Sequence, residues 1–421
     1  MRVDADDFAR PCSCGREHHI DVKEIVIESG AIGKLEEEMS DGDLREYISP
    51  LLICDTNSYK ATEELMEDIY DRCQVLILDA EGLEADDRAV EIVENYMEED
   101  IDLVLAVGAG TIHDLSRFVA HQYRIPFVSV PTAASSDGFT STVADMTWNG
   151  VKKTVAASAP LFVFADTDIF AKAPKRLTAA GVSDILGKYI ALADWKIASI
   201  LSKEYYCAEV VNLETKAVRT VKDNLKEIAA GEEEACEKLM YALVLSGLAM
   251  QMTGSSRPAS GAEHHLVHLW DMEVVNGHLD ALHGEKVSGG TMLVLLEYKK
   301  IADAIRRGTC KVHTCTEEDQ ELLKETFGKK GILGALEKEN TPEPLDDVST
   351  RELSDALPRI LKIIDALPAV TDMQEMMNTA GCVSRVRDIG LPGEVIEESL
   401  LLAPYTRRRL SLLRLRKMLT Y

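Results

Sequence analysis

Residues 260–270 read SGAEHHLVHLW, which puts three of the chain's ten histidines within five positions. His264 and His268 stand four apart, one turn above the other on a single helical face, while His265 is rotated by about 100°. Two imidazoles at that spacing can converge on one centre, although a polar helix face with incidental histidines has the same pattern. Two other stretches supply matching chemistry. His283 precedes a glycine in DALHGEKVSGG (280–290), and Asp184 opens a helical stretch in GVSDILGKY (181–189). Asp184 alone also reads as a helix-start carboxylate stabilised by the dipole. Taken together, Asp184, His264 and His283 form a two-imidazole, one-carboxylate set. That is enough for a catalytic divalent metal with positions left for substrate and water, and zinc, nickel and iron all suit it. His268 is then expected beside the metal.

A second group has the chemistry of a phosphate cradle. In AVGAGTIHD (106–114) a strand runs into Gly108, Ala109 and Gly110 and then into a helix. Glycines there let backbone N–H groups approach a phosphate, and the helix N-terminus favours negative charge; a tight turn is the plainer alternative. Asp55 ends an earlier strand in ICDTN, where a carboxylate can accept hydrogen bonds from both hydroxyls of an adenosine ribose. That position favours NADH over NADPH. The loop VPTAASSDGFTS (130–141) follows a further strand and is dense in small hydroxyls. Thr132, Ser135 and Ser141 are candidates for cofactor contacts, and Asp137 for holding substrate hydroxyls. Any one of them also reads as a turn or helix cap.

These residues need a scaffold, and the periodicity supplies one. LLICDTNSY (51–59), QVLILDA (74–80), IDLVLAVGAG (101–110), RIPFVSVPTAAS (124–135) and LFVFADTD (161–168) read as strands. ATEELMEDIYDRC (61–73) and DRAVEIVENYMEED (87–100) read as helices between them. Such alternation predicts a parallel sheet covered on both faces. The WNG between two further β-like segments predicts a hairpin. From about Pro174 onward only helical spacing is seen. The closing APYTRRRLSLLRLRKMLTY reads as a packed terminal helix, its leucines outweighing its basic run.

Composition sets limits on partners. A chain of 421 residues predicts two domains. Its net charge of −26, from 46 basic and 72 acidic residues, argues against nucleic acid and anionic membrane. No apolar run reaches the roughly 18–20 residues needed to span a bilayer. MRVDADDFARPCSCG lacks the apolar core of a secretory signal. Nine scattered cysteines suit reduced thiols, so a cytoplasmic enzyme is the expectation. The exception to the scatter is Cys12, Cys14, His18 and His19 in PCSCGREHH. A metal clip there is the minor reading, and a lightly anchored N-terminal segment the major one.

The motifs GAGTIHD, VPTAASSDGFTS, GVSDILGKY, SSRPASGAEHHLVH and LHGEKV occur in that order. In this the chain resembles the family of iron-containing alcohol dehydrogenases, glycerol dehydrogenases and dehydroquinate synthases, from about residue 20 to beyond 300. RPASGAEH with LHGEKV is similar to its phosphate-using branch. The resemblance implies an α/β fold of dehydroquinate-synthase-like type: a Rossmann-like parallel-sheet domain over 1–170 and an all-helical metal- and substrate-binding domain over 171–421. It implies an active site in the cleft separating the two, and a homodimer is the corresponding expectation for assembly. The family's metal ligands fall on Asp184, His264 and His283, where HxxxH spacing and Glu263 favour His264 over His265. His268 falls on a substrate contact or proton relay, and Asp137 and Asp184 on substrate contacts. Gly108, Gly110, Thr111, Ile112, His113 and Asp114 fall on the pyrophosphate loop. Thr132, Ala133, Ala134 and Ser135 fall on the nicotinamide side, and Ser141 on a further cofactor contact. GAG stands here where many relatives have GGG. The implied reaction is NAD(H)- or NADP(H)-dependent, metal-dependent reversible reduction of dihydroxyacetone phosphate to sn-glycerol 1-phosphate. A polyol dehydrogenase acting on an unphosphorylated substrate and a dehydroquinate-synthase-like lyase are the alternatives. Arg257, Lys152 and Lys153 are candidates, by charge, for holding the substrate phosphate.

Overall fold

The computed structural model describes residues 2–4, 8, 11–315 and 320–421. The first part alternates as the periodicity predicts. In order it runs β1 (Arg2–Asp4), β2 (Glu24–Glu28), α1 (Ala31–Ser40), β3 (Pro50–Asp55), α2 (Thr56–Thr62), α3 (Glu67–Tyr70) and β4 (Gln74–Leu78). It continues with α4 (Asp87–Glu94), β5 (Leu103–Gly108), α5 (Gly110–Tyr123), β6 (Phe127–Pro131), β7 (Val143–Trp148), β8 (Val151–Ala156) and β9 (Phe162–Asp166). Seven strands form one sheet in the order β1-β2-β9-β6-β5-β3-β4. Only β1 runs antiparallel to its neighbour. Side chains alternate between its faces, as the two-residue period of a strand requires. Leu51 and Ile53 of β3 join Val104 and Ala106 of β5 on one face, under α4 and α5. Leu52 and Cys54 join Leu103, Leu105 and Val107 on the other, under α1. Burial on both faces explains the unbroken apolar runs. β2 is harder to see in the sequence, because only Ile25–Ile27 are apolar and charged residues flank them. The expected hairpin is present as β7–β8. Its turn residues Asn149 and Gly150 both have positive φ, 50° and 75°, the left-handed pair that suits a tight hairpin.

After β9 come α6 (Thr167–Phe170), α7 (Lys175–Leu201), α8 (Ala208–Lys222), α9 (Leu225–Ala230), α10 (Glu233–Thr253), α11 (Ala262–Asp271) and α12 (His283–Arg306). Further helices follow, among them Thr350–Asp365 and Val370–Thr379. One departure from an all-helical second half is a two-residue pairing of β10 (Lys311–Val312) with β11 (Leu419–Thr420). Another is the tail, which is not one helix. It breaks into a 3-10 turn at Ala403–Thr406, a short helix at Leu412–Leu415 and a further turn at Arg416–Met418. Ser411 restarts the chain by accepting the Arg414 N–H, which fixes an extended residue in the middle of the leucine run. The leucines themselves are buried, as their spacing predicts.

Strands give way to helices near residue 170, but contacts group the chain differently. One compact unit holds Met1–Asn149, Lys153–Ile185 and Asn212–Ser256; the other holds Gly150–Lys152, Leu186–Val211 and Arg257–Tyr421. The division passes inside α7 and inside α8, each of which is a continuous helix. In the first unit α10 joins the sheet. Thr140 donates to Val244 O at 3.0 Å, and a Cβ on Gly247 would stand 2.1 Å from Thr140 Oγ1. In the second unit three helices approach through glycines. A Cβ on Gly290 of α12 would meet Glu263 O of α11 at 2.7 Å, and one on Gly187 of α7 would meet Val287 of α12 at 2.9 Å. No helix among the described residues is long and apolar enough to cross a membrane.

Candidate functional site

The chain leaves β3 for β4 on one side and crosses to β5 on the other. In an open α/β sheet such a reversal opens a ligand crevice at the carboxyl ends of the strands. Asp55 ends β3 there. Its Oδ1 accepts the N–H groups of Asn57 at 2.8 Å and Ser58 at 2.9 Å, so part of this carboxylate caps α2. Gly108 ends β5, and α5 begins at Gly110 behind Ala109, which contributes no side-chain cap. A helix start without such a cap leaves N–H groups turned outward, which suits an anion. Room is the constraint in this turn. A Cβ on Gly108 would stand 2.7 Å from Ile112 Cβ, and one on Gly110 would stand 2.9 Å from Ser136 Oγ. Ala109 has φ −91°, open to any residue, which explains the GAG spelling.

Thr111 and Asp114 are half-buried on this helix, and Asp114 stands 3.6 Å from Arg117 Nε. Ile112 and His113 point inward. His113 is buried, with Nε2 2.8 Å from Ser129 Oγ and Nδ1 2.9 Å from Ala109 O. Its backbone N–H is taken by Ala109 O as well. The His113 ring therefore supports the turn. Burial is the main reason its pKa falls from 6.5 to about 3. The unfolded chain gains this proton below pH 6.5, whereas the folded chain does not until about pH 3. Stability contributed by neutral His113 is thus present above pH 6.5 and lost as pH falls towards about 3. His113→Asn is expected to flatten the acid side of the stability curve in denaturant titrations; an unchanged slope would remove His113 from that role.

The 130–141 loop is anchored at several points. Thr132 N–H donates to Gly108 O at 3.0 Å. Ala133, Ala134 and Ser135 are buried, and a Cβ on Gly181 would lie 2.1 Å from Ala134 O. Asp137 N–H donates to Asp184 Oδ2 at 3.0 Å, while its own Oδ2 lies 2.8 Å from Ser246 Oγ. Ser141 is buried, and its Oγ accepts the Val143 N–H at 3.0 Å. This hydroxyl is therefore engaged within its own loop.

Asp184 is buried on α7, His264 lies in the first turn of α11, and His283 opens α12. One carboxylate oxygen of Asp184 and one ring nitrogen from each histidine lie within 4.8 Å of one another. The His264 and His283 rings are 5.3 Å apart, centre to centre. Glu263 Oε1 sits 2.7 Å from His264 Nδ1 and also accepts the Gly261 N–H at 2.7 Å. A carboxylate accepts, so Nδ1 carries the proton and Nε2 keeps its lone pair for a ligand. This donor set fits a divalent ion. His265 is turned elsewhere: burial, then Arg409, His268 and Arg414, hold it well below its ordinary pKa.

Three features were not legible from residue types. Glu263 is fully buried behind His264, and Lys188 is fully buried one turn beyond Asp184 on α7; the i, i+4 spacing in DILGK was the available signal for the second. The third is a set of arginines. Burial, followed by the charges of Arg257 and Arg407, lowers the Arg409 guanidinium to about 9. Arg407 Nη2 lies 3.4 Å from His268 Nε2, and His268 is buried. Arg257 itself donates to Glu204 at 2.8 Å and to Leu410 O at 2.6 Å, which anchors the tail. Lys152 stands 3.9 Å from Asp271 and Lys153 is half-buried on β8.

The sequence profile of the iron-containing alcohol dehydrogenases matches residues 26–174. A glycerol-1-phosphate dehydrogenase [NAD(P)+] from Geobacillus stearothermophilus is 33% identical over 402 residues, covering 93% of this chain and 92% of that protein. The chain belongs to the glycerol-1-phosphate dehydrogenase family. A second family member, from Halalkalibacterium halodurans, is 33% identical across 97% of this chain and 96% of its own. Among solved structures, maleylacetate reductase from a Rhizobium species superposes with a TM-score of 0.59 at 16% identity, covering 92% and 90% of the two chains. That likeness concerns the fold. Membership in the glycerol-1-phosphate dehydrogenase family makes this chain an NAD(P)- and divalent-metal-dependent enzyme of the iron-containing alcohol dehydrogenase type.

Proposed function

We propose that this protein catalyses the reversible reduction of dihydroxyacetone phosphate to sn-glycerol 1-phosphate, with Asp184, His264 and His283 as the ligands of its divalent ion. The observation that carries the reading is the gathering of those three donors within 4.8 Å, with Glu263 fixing the His264 tautomer. When bound, the ion supplies Lewis acidity at the ketone oxygen and the dinucleotide supplies the hydride. The chain's own residues do the rest. Gly108, Gly110, Thr111 and Asp114 line the turn for the pyrophosphate, and Thr132 to Ser135 form the nicotinamide side. Asp55 accepts from the ribose, which favours NADH. Asp137 is placed for a substrate hydroxyl. His268, one turn from His264, is placed to pass a proton to the C2 oxygen of the substrate, directly or through water, which makes it the hydroxyl of the product.

Arg409 and Arg407 give this acidic protein a local positive field for the substrate phosphate, with Arg257 contributing charge from behind. A homodimer in the cytoplasm is the accompanying inference, and it rests on the chain's family and composition alone.

The test compares dihydroxyacetone with its phosphate, with NADH and the metal-loaded enzyme. A kcat/KM at least about 30-fold higher for the phosphate is expected, since a buried charge pair contributes roughly 2–5 kcal/mol. Arg409→Ala is expected to raise KM for the phosphate substrate roughly 30-fold and leave dihydroxyacetone unaffected. Equal turnover of the two substrates would mark a polyol dehydrogenase instead. Glu263→Gln removes the charge behind His264 and is expected to weaken metal affinity about tenfold in chelator competition. Unchanged affinity would show that Glu263 does not hold the ligand.

A further inference from the structure

The stretch PCSCGREHH plays no part in the chemistry above. Residues 11–17 turn back on themselves: Pro11 and Glu17 form an antiparallel bridge, and Gly15 N–H donates to Cys12 O at 3.1 Å. Gly15 has φ 81°, a value that side chains rarely adopt, so the turn needs its glycine. The turn brings Cys12, Cys14 and His18 together. Cys207 joins them from far along the sequence. It is fully buried at the start of α8, where its carbonyl accepts the Val211 N–H at 3.1 Å. The sulfurs of Cys12, Cys14 and Cys207 and one ring nitrogen of His18 all lie within 4.8 Å of one another. His19 is exposed and takes no part.

His18 shows what the group is built for. It is buried, and its Nδ1 lies 2.6 Å from Met252 O. A carbonyl only accepts, so Nδ1 carries the proton. Nε2, 3.5 Å from Cys14 Sγ, then presents a lone pair towards the sulfurs. That tautomer, held by a backbone carbonyl, is the one metal-binding histidines adopt. The separation also fits: zinc bonds of about 2.0 Å to nitrogen and 2.3 Å to sulfur give a tetrahedral edge of about 3.5 Å. We propose that Cys12, Cys14, His18 and Cys207 bind one zinc ion, in addition to the ion at Asp184, His264 and His283. Three thiolates and an imidazole fill a tetrahedron, so the ion has no open position and its role is structural. It fixes the turn at residues 11–17. Neighbouring bonds hold the residues that follow. Asp21 N–H donates to Gln251 Oε1 at 2.9 Å, and Gln251 donates to Thr140 O in the 130–141 loop.

The experiment is zinc stoichiometry on the full-length protein after zinc loading and desalting. The double variant Cys12→Ser, Cys14→Ser is expected to lose one equivalent relative to wild type, whereas His264→Ala keeps that equivalent and loses the other. Equal zinc in the double variant and wild type would overturn the proposal. Two measurements on wild type stand if the double variant does not fold. Cobalt(II) loading should give thiolate-to-metal charge-transfer absorption that persists in His264→Ala. Alkylation read by mass spectrometry should reach exposed Cys315 at once, but Cys12, Cys14 and Cys207 only after chelation. Absence of the absorption, or alkylation of Cys12 and Cys14 at the rate of Cys315 without chelator, would equally overturn it.

Discussion

His264→Ala is expected to lower kcat for ketone reduction by at least about 1,000-fold and to release one divalent ion per chain. The estimate follows from the several kcal/mol that a Lewis acid contributes to a developing alkoxide, at about 1.4 kcal/mol per tenfold. Two ligands remain after the substitution, and His265, buried near Arg409 and Arg414, is not one of the gathered donors. Folding should survive, because Glu263 keeps its bond to the Gly261 N–H when the ring is removed. Metal analysis and single-turnover kinetics check both halves. A variant that keeps its ion and more than a tenth of its activity would mean the proposed ligand set is wrong.

Gly290→Val is expected to cost about 3 kcal/mol of stability and to reduce metal content with it. The new Cβ would lie 2.7 Å from Glu263 O, a backbone atom that cannot swing aside as a flexible side chain would. α11 and α12 must separate, and they carry His264 and His283. Gly334→Ala is the control, since nothing lies within 4 Å of a Cβ there. Matching denaturation midpoints for Gly290→Val and the control would show that the close approach is not required.

Much of this was legible in the sequence, for identifiable reasons. The strands β3, β5, β6 and β9 are apolar on both faces, so their runs stand out against amphipathic helices. The clustering of His264 with His268 is local, so one turn of helix already exposes it. Asp184 and His283 could be named as ligand-type residues, but their meeting depends on glycine packing that no short window contains. β2 was hidden because three apolar residues make too short a run. The terminal basic stretch misled in a different way: its leucines have helical spacing, yet Pro404 and the Ser411 cap break it into turns. Cys207 is invisible as a partner of Cys12, since a single cysteine carries no spacing. The bonds from Arg257 to Glu204 and Leu410 could not be read from charge, because both partners lie far away in the sequence.

The turn at Gly108 and Gly110 uses glycine for want of space, and neither residue has a left-handed φ. At position 110 the obstructing atom is the hydroxyl of Ser136. Residues 110 and 136 should therefore vary as a pair among related enzymes, a bulkier residue at one being matched by a smaller one at the other. Counting glycines in this turn would then miss relatives that hold the same ligand with a different spelling.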